Sequence, residues 1–234
     1  MVITIDEDTK SEVGRILSKV KNEVKLHFFF SEDCTYCKDE EEILKILTEL
    51  NPLIKVMKYP DGLNHEKAKA LKIDKIPALV IHGVKEYKIR YFGIPAGYEF
   101  GSLIEDIVDA ARGEVDLEER ARRLLNSVDE EVHIQVFVTP SCPYCPSMVR
   151  ASHKFAIVNE RITSDAIEAM EFNELADKYE VYTVPKVVIN DRLAFEGTLP
   201  ETYFAAAILK ALGKPLPEAE LEEALRGVSF SKLD

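Results

Sequence analysis

The chain has 234 residues, enough for two domains of about 100 residues each. Its composition, 46% hydrophobic and 31% charged, is that of a soluble globular protein with an excess of charge. The net charge of −12 argues against binding to nucleic acid or to an anionic membrane, since both need a basic surface. No apolar run is long enough to span a bilayer, and the amino terminus lacks the basic and apolar segments of a secretory signal. We therefore expect a cytoplasmic protein.

The composition also indicates a thermophilic source. Gln135 is the only glutamine, tryptophan is absent, and glutamate and lysine are abundant. This bias against thermolabile residues and towards ion pairs is typical of hyperthermophile proteins, whose cytosol tolerates disulfides. Chance composition in a mesophile is the alternative. In a reducing compartment, the four cysteines of this chain are expected to be metal ligands or catalytic thiols rather than structural bridges.

The first half of the chain alternates between helical and strand patterns. Apolar residues at helical spacing predict an opening amphipathic helix that includes Val13, Ile16, Leu17 and Val20. The predicted elements that follow are a buried strand at 26–31, a helix at 35–50, a strand at 53–58, a short helix near 68–73, strands at 78–82 and 87–91, and a closing helix at about 98–112.

The same order recurs 108 residues later. The repeated elements are an opening helix around 121–128, a strand at 134–139, a helix at 143–158, a strand at 161–166, a short helix near 176–181, strands at 186–190 and 193–196, and a closing helix at about 200–212. An extra helix at 218–226 has no counterpart in the first half. This alternation predicts an α/β fold in which each half has a central mixed sheet flanked by helices.

The boundary between the halves is predicted at Gly113. Glycine commonly ends a helix, and Asp116 is placed to cap the next one. We therefore expect two tandem domains, at residues 1–113 and 114–234.

Two copies of a dithiol motif carry the chemistry. The pair formed by Cys34 and Cys37 recurs as Cys142 and Cys145, and the chain has no other cysteine. Each motif follows a predicted buried strand and begins a predicted helix, where free backbone N–H groups and the helix dipole favour an anion. The first thiol of each pair is expected to attack a substrate disulfide, and the second to release the mixed disulfide. The predicted reactive groups are thus redox-active disulfides, with neither a metal nor a bound cofactor.

An apolar residue followed by proline occurs 43 residues after each dithiol, at Ile76-Pro77 and at Val184-Pro185. A proline that follows a β-branched residue and precedes a strand predicts a cis peptide bond at a tight turn. Beside the dithiol, such a turn would leave the backbone of the preceding residue free to pair with an extended substrate. These four residues are therefore predicted to bind the client chain. The alternative is that both prolines begin strands in the trans form.

A strand, a Cys-x-x-Cys motif at a helix start and a later apolar-Pro step before a hairpin resemble the thioredoxin fold. The second half is closer to glutaredoxins: Thr-Pro-Ser-Cys-Pro-Tyr-Cys at 139–145 resembles their active-site signature, and Thr-Val-Pro at 183–185 their cis-proline signature. Two such units in one chain resemble the protein disulfide oxidoreductases of hyperthermophiles, a family similar to protein disulfide isomerase. The resemblance covers essentially the whole chain. It implies reduction, oxidation and isomerisation of protein disulfides, with a thioredoxin-reductase-like flavoprotein as reductant.

The chain departs from these families in three places. Thioredoxins carry a buried acid six residues before the first cysteine, and here Phe28 and Val136 stand there, so a base must come from elsewhere. Asp33 and Ser141 replace the tryptophan that precedes the thioredoxin motif. The paired glycines that help many glutaredoxins to hold glutathione are missing after Asn190, which favours a protein-sized substrate.

The neighbours of the two dithiols predict unequal sites. Acidic residues flank Cys34 and Cys37 on both sides, at 32–33 and 39–42, and negative charge disfavours a thiolate. Cys142 has neutral neighbours, and Lys186 is expected near its sulfur. We therefore expect the lower thiol pKa at Cys142 and a second site that is more oxidising and more active. A solvated acidic helix face, screened by salt, is the alternative.

The tyrosines inside the motifs, Tyr36 and Tyr144, are expected to tune the sites sterically rather than to act as acids. Three other functions are weighed. A zinc site would need both Cys-x-x-Cys pairs together, usually about 15–20 residues apart, whereas here they lie in separate repeats. Structural disulfides that close so short a loop constrain the unfolded chain little. An electron relay to a peroxiredoxin resembles the tandem thioredoxin-fold region of some alkyl hydroperoxide reductase flavoproteins, which generally retain one active dithiol.

Overall fold

The computed structural model describes residues 6–233, and its contacts divide the chain into two compact units with the boundary between Glu114 and Val115. The helix before this boundary ends at Gly113, which adopts a left-handed conformation with φ 73° and donates its N–H to the Asp109 carbonyl. A Cβ at this glycine would lie 2.5 Å from Val84 Cγ2, so a larger residue would clash. The first five residues, on which the expected lack of a secretory signal rests, lie outside the described residues.

Within residues 6–114, four helices alternate with four strands. In chain order they are α1 (Glu7–Leu17), β1 (Val24–Phe29), α2 (Cys37–Leu50), β2 (Ile54–Tyr59), α3 (Glu66–Ala70), β3 (Ala78–His82), β4 (Ile89–Phe92) and α4 (Tyr98–Arg112). Strand β1 lies between β2, to which it is parallel, and β3, to which it is antiparallel. Strand β4 pairs antiparallel with β3.

The second unit repeats this order and extends it. Its elements are α5 (Glu119–Asn126), β5 (Val132–Val138), α6 (Cys145–Val158), β6 (Ile162–Glu168), α7 (Asn173–Lys178), β7 (Lys186–Ile189), β8 (Leu193–Glu196), α8 (Glu201–Ala211), α9 (Ala219–Arg226) and β9 (Phe230–Lys232). Strand β5 is parallel to β6 and antiparallel to β7. The hairpin of β7 and β8 continues into β9, which pairs antiparallel with β8.

The central strand of each unit is buried because the chain is apolar on both of its faces. Leu26, Phe28 and Phe29 in β1 are fully buried, as are Val136 and Phe137 in β5. A continuous apolar run of this kind is typical of a strand covered on both sides. The predicted α/β class, with a mixed sheet flanked by helices in each half, is confirmed.

Three local predictions are corrected. Helix α5 begins at Glu119 with Glu118 as its N-cap, so Asp116 does not cap it. Helices α3 and α7 begin earlier than their apolar residues suggested. Strand β9 was not predicted, because a three-residue strand has no measurable periodicity. It is fixed instead by pairing with β8 and by the Phe230 ring, which packs 6.0 Å from that of Phe195.

An asparagine at the end of each dithiol helix joins three segments in the same way. Asn51 Nδ2 donates to the Leu17 carbonyl at 2.8 Å, and its Oδ1 accepts from the Leu53 N–H at 2.9 Å. Asn159 makes the matching bonds to Leu125 and Arg161, both at 2.9 Å. These side chains attach the opening helix of each unit to the start of the strand that follows the dithiol helix. They therefore help to position both dithiol helices.

No helix between residues 6 and 233 has the length and apolar character needed to cross a membrane.

Candidate redox sites

Each dithiol is closed into a disulfide within its own motif. The Cα atoms of Cys34 and Cys37 lie 5.5 Å apart and those of Cys142 and Cys145 lie 5.6 Å apart, within the ordinary range for such bonds. The peptide bonds Ile76-Pro77 and Val184-Pro185 are both cis, as the sequence predicts. In the described part of the chain, no cluster of three or more His, Cys, Asp and Glu side chains is arranged to hold a metal ion.

The dithiol helices begin at the second cysteine of each motif, not at the first. Tyr36 and Tyr144 are the N-cap residues, and Cys37 and Cys145 are the first helical residues. The first cysteine lies in a turn, in which the Cys34 N–H donates to the Ser31 carbonyl at 3.3 Å and the Cys142 N–H to the Thr139 carbonyl at 3.1 Å. The second cysteine of each pair is buried at 5% and 0% exposure, as expected for the thiol that resolves the mixed disulfide.

In the second unit the helix N-terminus contacts the sulfur directly. The Cys145 N–H donates to Cys142 Sγ at 3.1 Å, and this N–H is one of those that an α-helix leaves without an internal acceptor. The helix dipole adds positive potential at the same point. Among the described contacts of the first unit, Cys34 Sγ has no equivalent hydrogen bond. The two sites therefore differ in how well they stabilise negative charge on the attacking sulfur.

The residue before the second cis-proline lies beside the same sulfur. The carbonyl oxygen of Val184 is 3.6 Å from Cys142 Sγ, so the structure brings these two predicted residues together. Val184 and Ile76 are half-buried, and the prolines that follow them are buried. Ile76 packs against Gly62, where an added Cβ would lie 3.0 Å from Ile76 Cδ1. No contact between Ile76 and Cys34 Sγ occurs among the described residues.

Lys186 is buried, but its ammonium group is bound elsewhere. Its Nζ donates to the Glu180 carbonyl at 2.8 Å and lies 3.4 Å from a Glu196 carboxylate oxygen. Lys186 and Glu196 stand directly opposite each other in the β7–β8 hairpin. No contact with Cys142 occurs in the part of the chain that the structure describes. The hydrogen bond from Cys145, rather than the charge of Lys186, is the direct stabilising contact of that sulfur.

A buried carboxylate that no sequence motif marks lies at the end of β6. Glu168 pairs in register with Val138, the last residue of β5, which leads into the second motif. Its Oε2 accepts the Glu171 N–H at 2.6 Å, and burial raises the pKa of its carboxyl. The thioredoxin acid position itself holds Phe28 and Val136, which are both fully buried. Glu168 is therefore the titratable group that the strands place near the second motif.

The acidic surroundings of the first motif are partly compensated. Glu32 and Asp33 before Cys34 are exposed, and Glu41 forms an ion pair with Lys58. Exposed charges of this kind are screened by salt, so their effect on the sulfur is smaller than their number suggests.

In each unit, a parallel strand pair, an antiparallel hairpin after a cis-proline, and a Cys-x-x-Cys disulfide at a helix N-terminus define a thioredoxin fold with a redox-active disulfide. The thioredoxin domain family matches residues 132–210, within the second unit. A protein disulfide oxidoreductase from Aeropyrum pernix K1 is 32% identical, with a TM-score of 0.83, over 92% of this chain and 97% of that one. The chain therefore belongs to the protein disulfide oxidoreductases with two thioredoxin-fold units, which are enzymes of thiol–disulfide exchange.

Two further comparisons concern the flavoprotein AhpF of alkyl hydroperoxide reductase. A domain of that protein from Enterococcus faecalis has the same fold, with 21% identity and a TM-score of 0.81 over 88% of this chain and 100% of that one. The corresponding protein from Staphylococcus aureus is 22% identical over 219 residues, which are 93% of this chain and 39% of the relative. The chain spans only 35% to 40% of the length of the first curated relatives that it matches.

Proposed function

We propose that this chain catalyses thiol–disulfide exchange on protein substrates, with Cys142 and Cys145 as the principal site and Cys34 and Cys37 as a second, weaker one. The observation that carries this proposal is the hydrogen bond from the Cys145 N–H to Cys142 Sγ at the N-terminus of α6. A thiolate is the attacking species in exchange, and a helix N-terminus that donates to the sulfur stabilises it. The described contacts of Cys34 include no such donor.

In the reducing direction, the Cys142 thiolate attacks one sulfur of a client disulfide. The client S–S bond breaks, its other sulfur leaves as a thiolate, and a Cys142–client mixed disulfide forms. The Cys145 thiol, deprotonated in this step, then attacks Cys142 Sγ and releases the client as a second thiolate. Two electrons have passed to the client, and the protein holds the Cys142–Cys145 disulfide. The reverse sequence oxidises a client dithiol.

The backbone beside each cis-proline is proposed to hold the client during this exchange. The Val184 N–H has no acceptor among the described residues, and its carbonyl lies next to Cys142 Sγ. An extended client chain would therefore pair with Val184 while its sulfur reacts. Ile76 has the corresponding role at the first site, with Pro77 and Pro185 fixing the two turns.

The wider setting is also part of the proposal. Two dithiols of different reactivity suit isomerisation of wrongly paired disulfides as well as simple reduction. The net charge of −12 and the few thermolabile residues support a cytoplasmic enzyme of a thermophile. A thioredoxin-reductase-like flavoprotein is the proposed reductant, because two oxidised dithiols need an external source of electrons.

A second candidate function is an electron relay that donates to a peroxiredoxin. The likeness in fold to the alkyl hydroperoxide reductase domain favours it, since one match extends over 88% of this chain. The presence of a disulfide in both units favours general exchange instead.

The test isolates each site in a double serine variant. With insulin as the disulfide substrate, C142S/C145S is expected to lose at least tenfold of the reduction rate, and C34S/C37S to keep most of it. Equal losses would contradict the assignment of the principal site. A peroxiredoxin coupled to the wild-type chain measures the relay, and a faster rate there than with insulin would favour that function. Zinc titration against thiol counting on the reduced chain tests the remaining alternative of a metal site.

A further inference from the structure

The three most exposed large apolar side chains of the described residues all belong to segments that meet at the second disulfide. Tyr182, Met170 and Tyr144 are 84%, 75% and 68% exposed, whereas the next most exposed, Tyr98, reaches 55%. Single exposed apolar residues are ordinary on a protein surface. A group that gathers at a reactive sulfur indicates a binding surface.

The hydrogen bonds of the backbone place these side chains around Cys142. Met170 follows Ala169, whose N–H donates to the carbonyl of Val138 at 2.9 Å, just before the second motif. Tyr182 lies two residues before Val184, the residue whose carbonyl is 3.6 Å from Cys142 Sγ. Tyr144 lies between the two cysteines. Three separate segments thus each present one large apolar side chain beside one disulfide.

Burial on these segments is the inverse of the usual pattern. Glu168 and Lys186, which are charged, are buried and bonded to groups of the same unit. Met170 and Tyr182, two and four residues away from them, face solvent. Charged side chains are rarely buried and large apolar ones are usually covered, so this arrangement is unfavourable for the free protein unless another molecule covers the apolar groups.

The first unit lacks this feature at the matching positions. At the offset of 108 residues, Met170 corresponds to Gly62 and Tyr182 to Asp74. Gly62 is buried, and Asp74 forms an exposed ion pair with Lys75. Only Tyr36 remains as the counterpart of Tyr144, and it is 42% exposed. The apolar surface therefore belongs to the second site and is not a general property of the repeated fold.

We propose that Met170, Tyr182 and Tyr144 form an apolar rim that binds a client segment with a large apolar side chain within two residues of its cysteine. This inference rests on the proposed function, because the rim acts on the client of the Cys142–Cys145 dithiol. Cys142 is only 8% exposed, so its sulfur is reached by a cysteine on an extended, protruding segment. Such segments come from unfolded or partly folded proteins, whose apolar side chains are accessible. A thioether and two phenol rings suit varied apolar partners, since methionine adapts its shape and tyrosine offers a broad face.

The experiment compares three disulfides that release the same chromophoric thiol. Two are peptides of equal length and charge, one with Phe and one with Ser two residues before the cysteine, and the third is a small disulfide made from 2-mercaptoethanol. Pre-reduced C34S/C37S, which retains only the second site, is mixed with each in a single turnover. The quantity of interest is the rate constant for each peptide divided by that for the small disulfide.

At the second site we expect the Phe peptide to react about tenfold faster than the Ser peptide, which corresponds to about 1.4 kcal/mol. The added substitutions M170S/Y182S should bring the two peptides to the same ratio. The control M57S/Y98S removes a methionine and a tyrosine that are exposed in the first unit, and it should keep the tenfold preference. C142S/C145S, which retains only the first site, should show no preference.

The outcomes separate the two proposals. No release from the small disulfide would contradict thiol–disulfide exchange at this site. Normal release without any preference between the peptides, or a preference that survives M170S/Y182S, would overturn the rim alone. Light scattering on the wild type and on M170S/Y182S gives a second test: a dimer that dissociates in the variant would mean that another copy of this chain covers the rim, and would also overturn the proposal.

Discussion

The second unit supports its disulfide with a hydrogen bond, whereas the first unit surrounds its disulfide with charge. In the second, the Cys145 N–H donates to Cys142 Sγ, and the nearby apolar side chains face solvent. In the first, Cys34 lies after two exposed acidic residues, and Glu41 on the same helix pairs with Lys58. The order of elements fixes where a dithiol lies in both units. The residues around it decide how readily the sulfur ionises and what approaches it.

The central sheets differ in a related way. His27 and His82 of the first unit are buried, with ring centroids 4.6 Å apart. The matching positions in the second unit hold Gln135 and Asn190, which do not titrate. Gln135 Nε2 donates to Asp191 Oδ1 at 3.1 Å. One unit thus keeps a pair of titratable rings where the other keeps neutral amides.

The largest expected difference lies at the position of the missing thioredoxin acid. Phe28 is fully buried and stacks on Phe30 with centroids 4.8 Å apart, so Phe28→Ala should lower the free energy of unfolding by about 3–5 kcal/mol. Val136→Ala, the matched change in the second unit, should lower it by about 2 kcal/mol, since fewer methyl groups are removed. Urea denaturation followed by circular dichroism measures both. Equal losses would show that the two cores are packed alike at this position.

Acid should affect the first unit through His27. Burial, and secondly the nearby His82, lowers the pKa of His27 to about 4. Because the folded state binds this proton less tightly than the unfolded chain, the stabilisation is complete above pH 6.5 and is lost as the pH falls from 6.5 to 4. The loss should be on the order of 2 kcal/mol. His27→Gln, which copies the second unit, should remove this part of the decline in urea titrations between pH 7 and pH 4.

The variant should not abolish acid sensitivity altogether. His153 of the second unit is fully buried, and burial lowers its pKa to about 3, so that unit loses stability in acid as well. An unchanged pH profile in His27→Gln would mean that His27 is protonated in the folded state without loss of stability. The contrast between titrating rings and neutral amides would then have no energetic meaning.

The two asparagines test where the units agree. Asn51→Ala and Asn159→Ala each remove donors and an acceptor that join three segments, so each should lower the free energy of unfolding by about 2 kcal/mol. Asn173→Ala is the control, because its Oδ1 accepts an exposed N–H and its loss should change stability by less than about 0.5 kcal/mol. A clear difference between Asn51→Ala and Asn159→Ala in urea titrations would mean that the shared geometry hides unequal contributions.

Much of the fold was predictable because the chain is its own control. The offset of 108 residues matched helices, strands and prolines in two copies, which strengthened patterns that are ambiguous in one. The four cysteines and the two cis-prolines followed from the same spacing. Strand β9 was not predictable, since its pairing with β8 depends on distant residues and its three positions carry no period.

The surroundings of the sites were less predictable. Lys186 was expected near Cys142, yet it pairs with Glu196, which stands opposite it in the hairpin. The register of that hairpin would have indicated this partner, because opposite charges directly across two strands attract each other. The burial of Glu168 and the exposure of Met170 had no such signal. Both depend on how the end of β6 turns over the sheet, which side-chain patterns do not encode.

The smallest expected effect concerns the glycine that replaces Met170 in the first unit. Gly62 has φ 53°, and an added Cβ would lie 3.1 Å from the Phe30 carbonyl oxygen. Gly62→Ala should therefore lower the free energy of unfolding by about 1–2 kcal/mol, since a side chain in the left-handed conformation is strained. Met170→Ala, on an exposed loop, should change it by less than about 0.5 kcal/mol. If the first change proves as mild as the second in urea titrations, the backbone at Gly62 tolerates a side chain and an apolar rim is transferable to the first site. If the expected difference is found, the fold itself prevents the first unit from acquiring the methionine of the rim, and the two dithiols are kept distinct by backbone geometry as well as by charge.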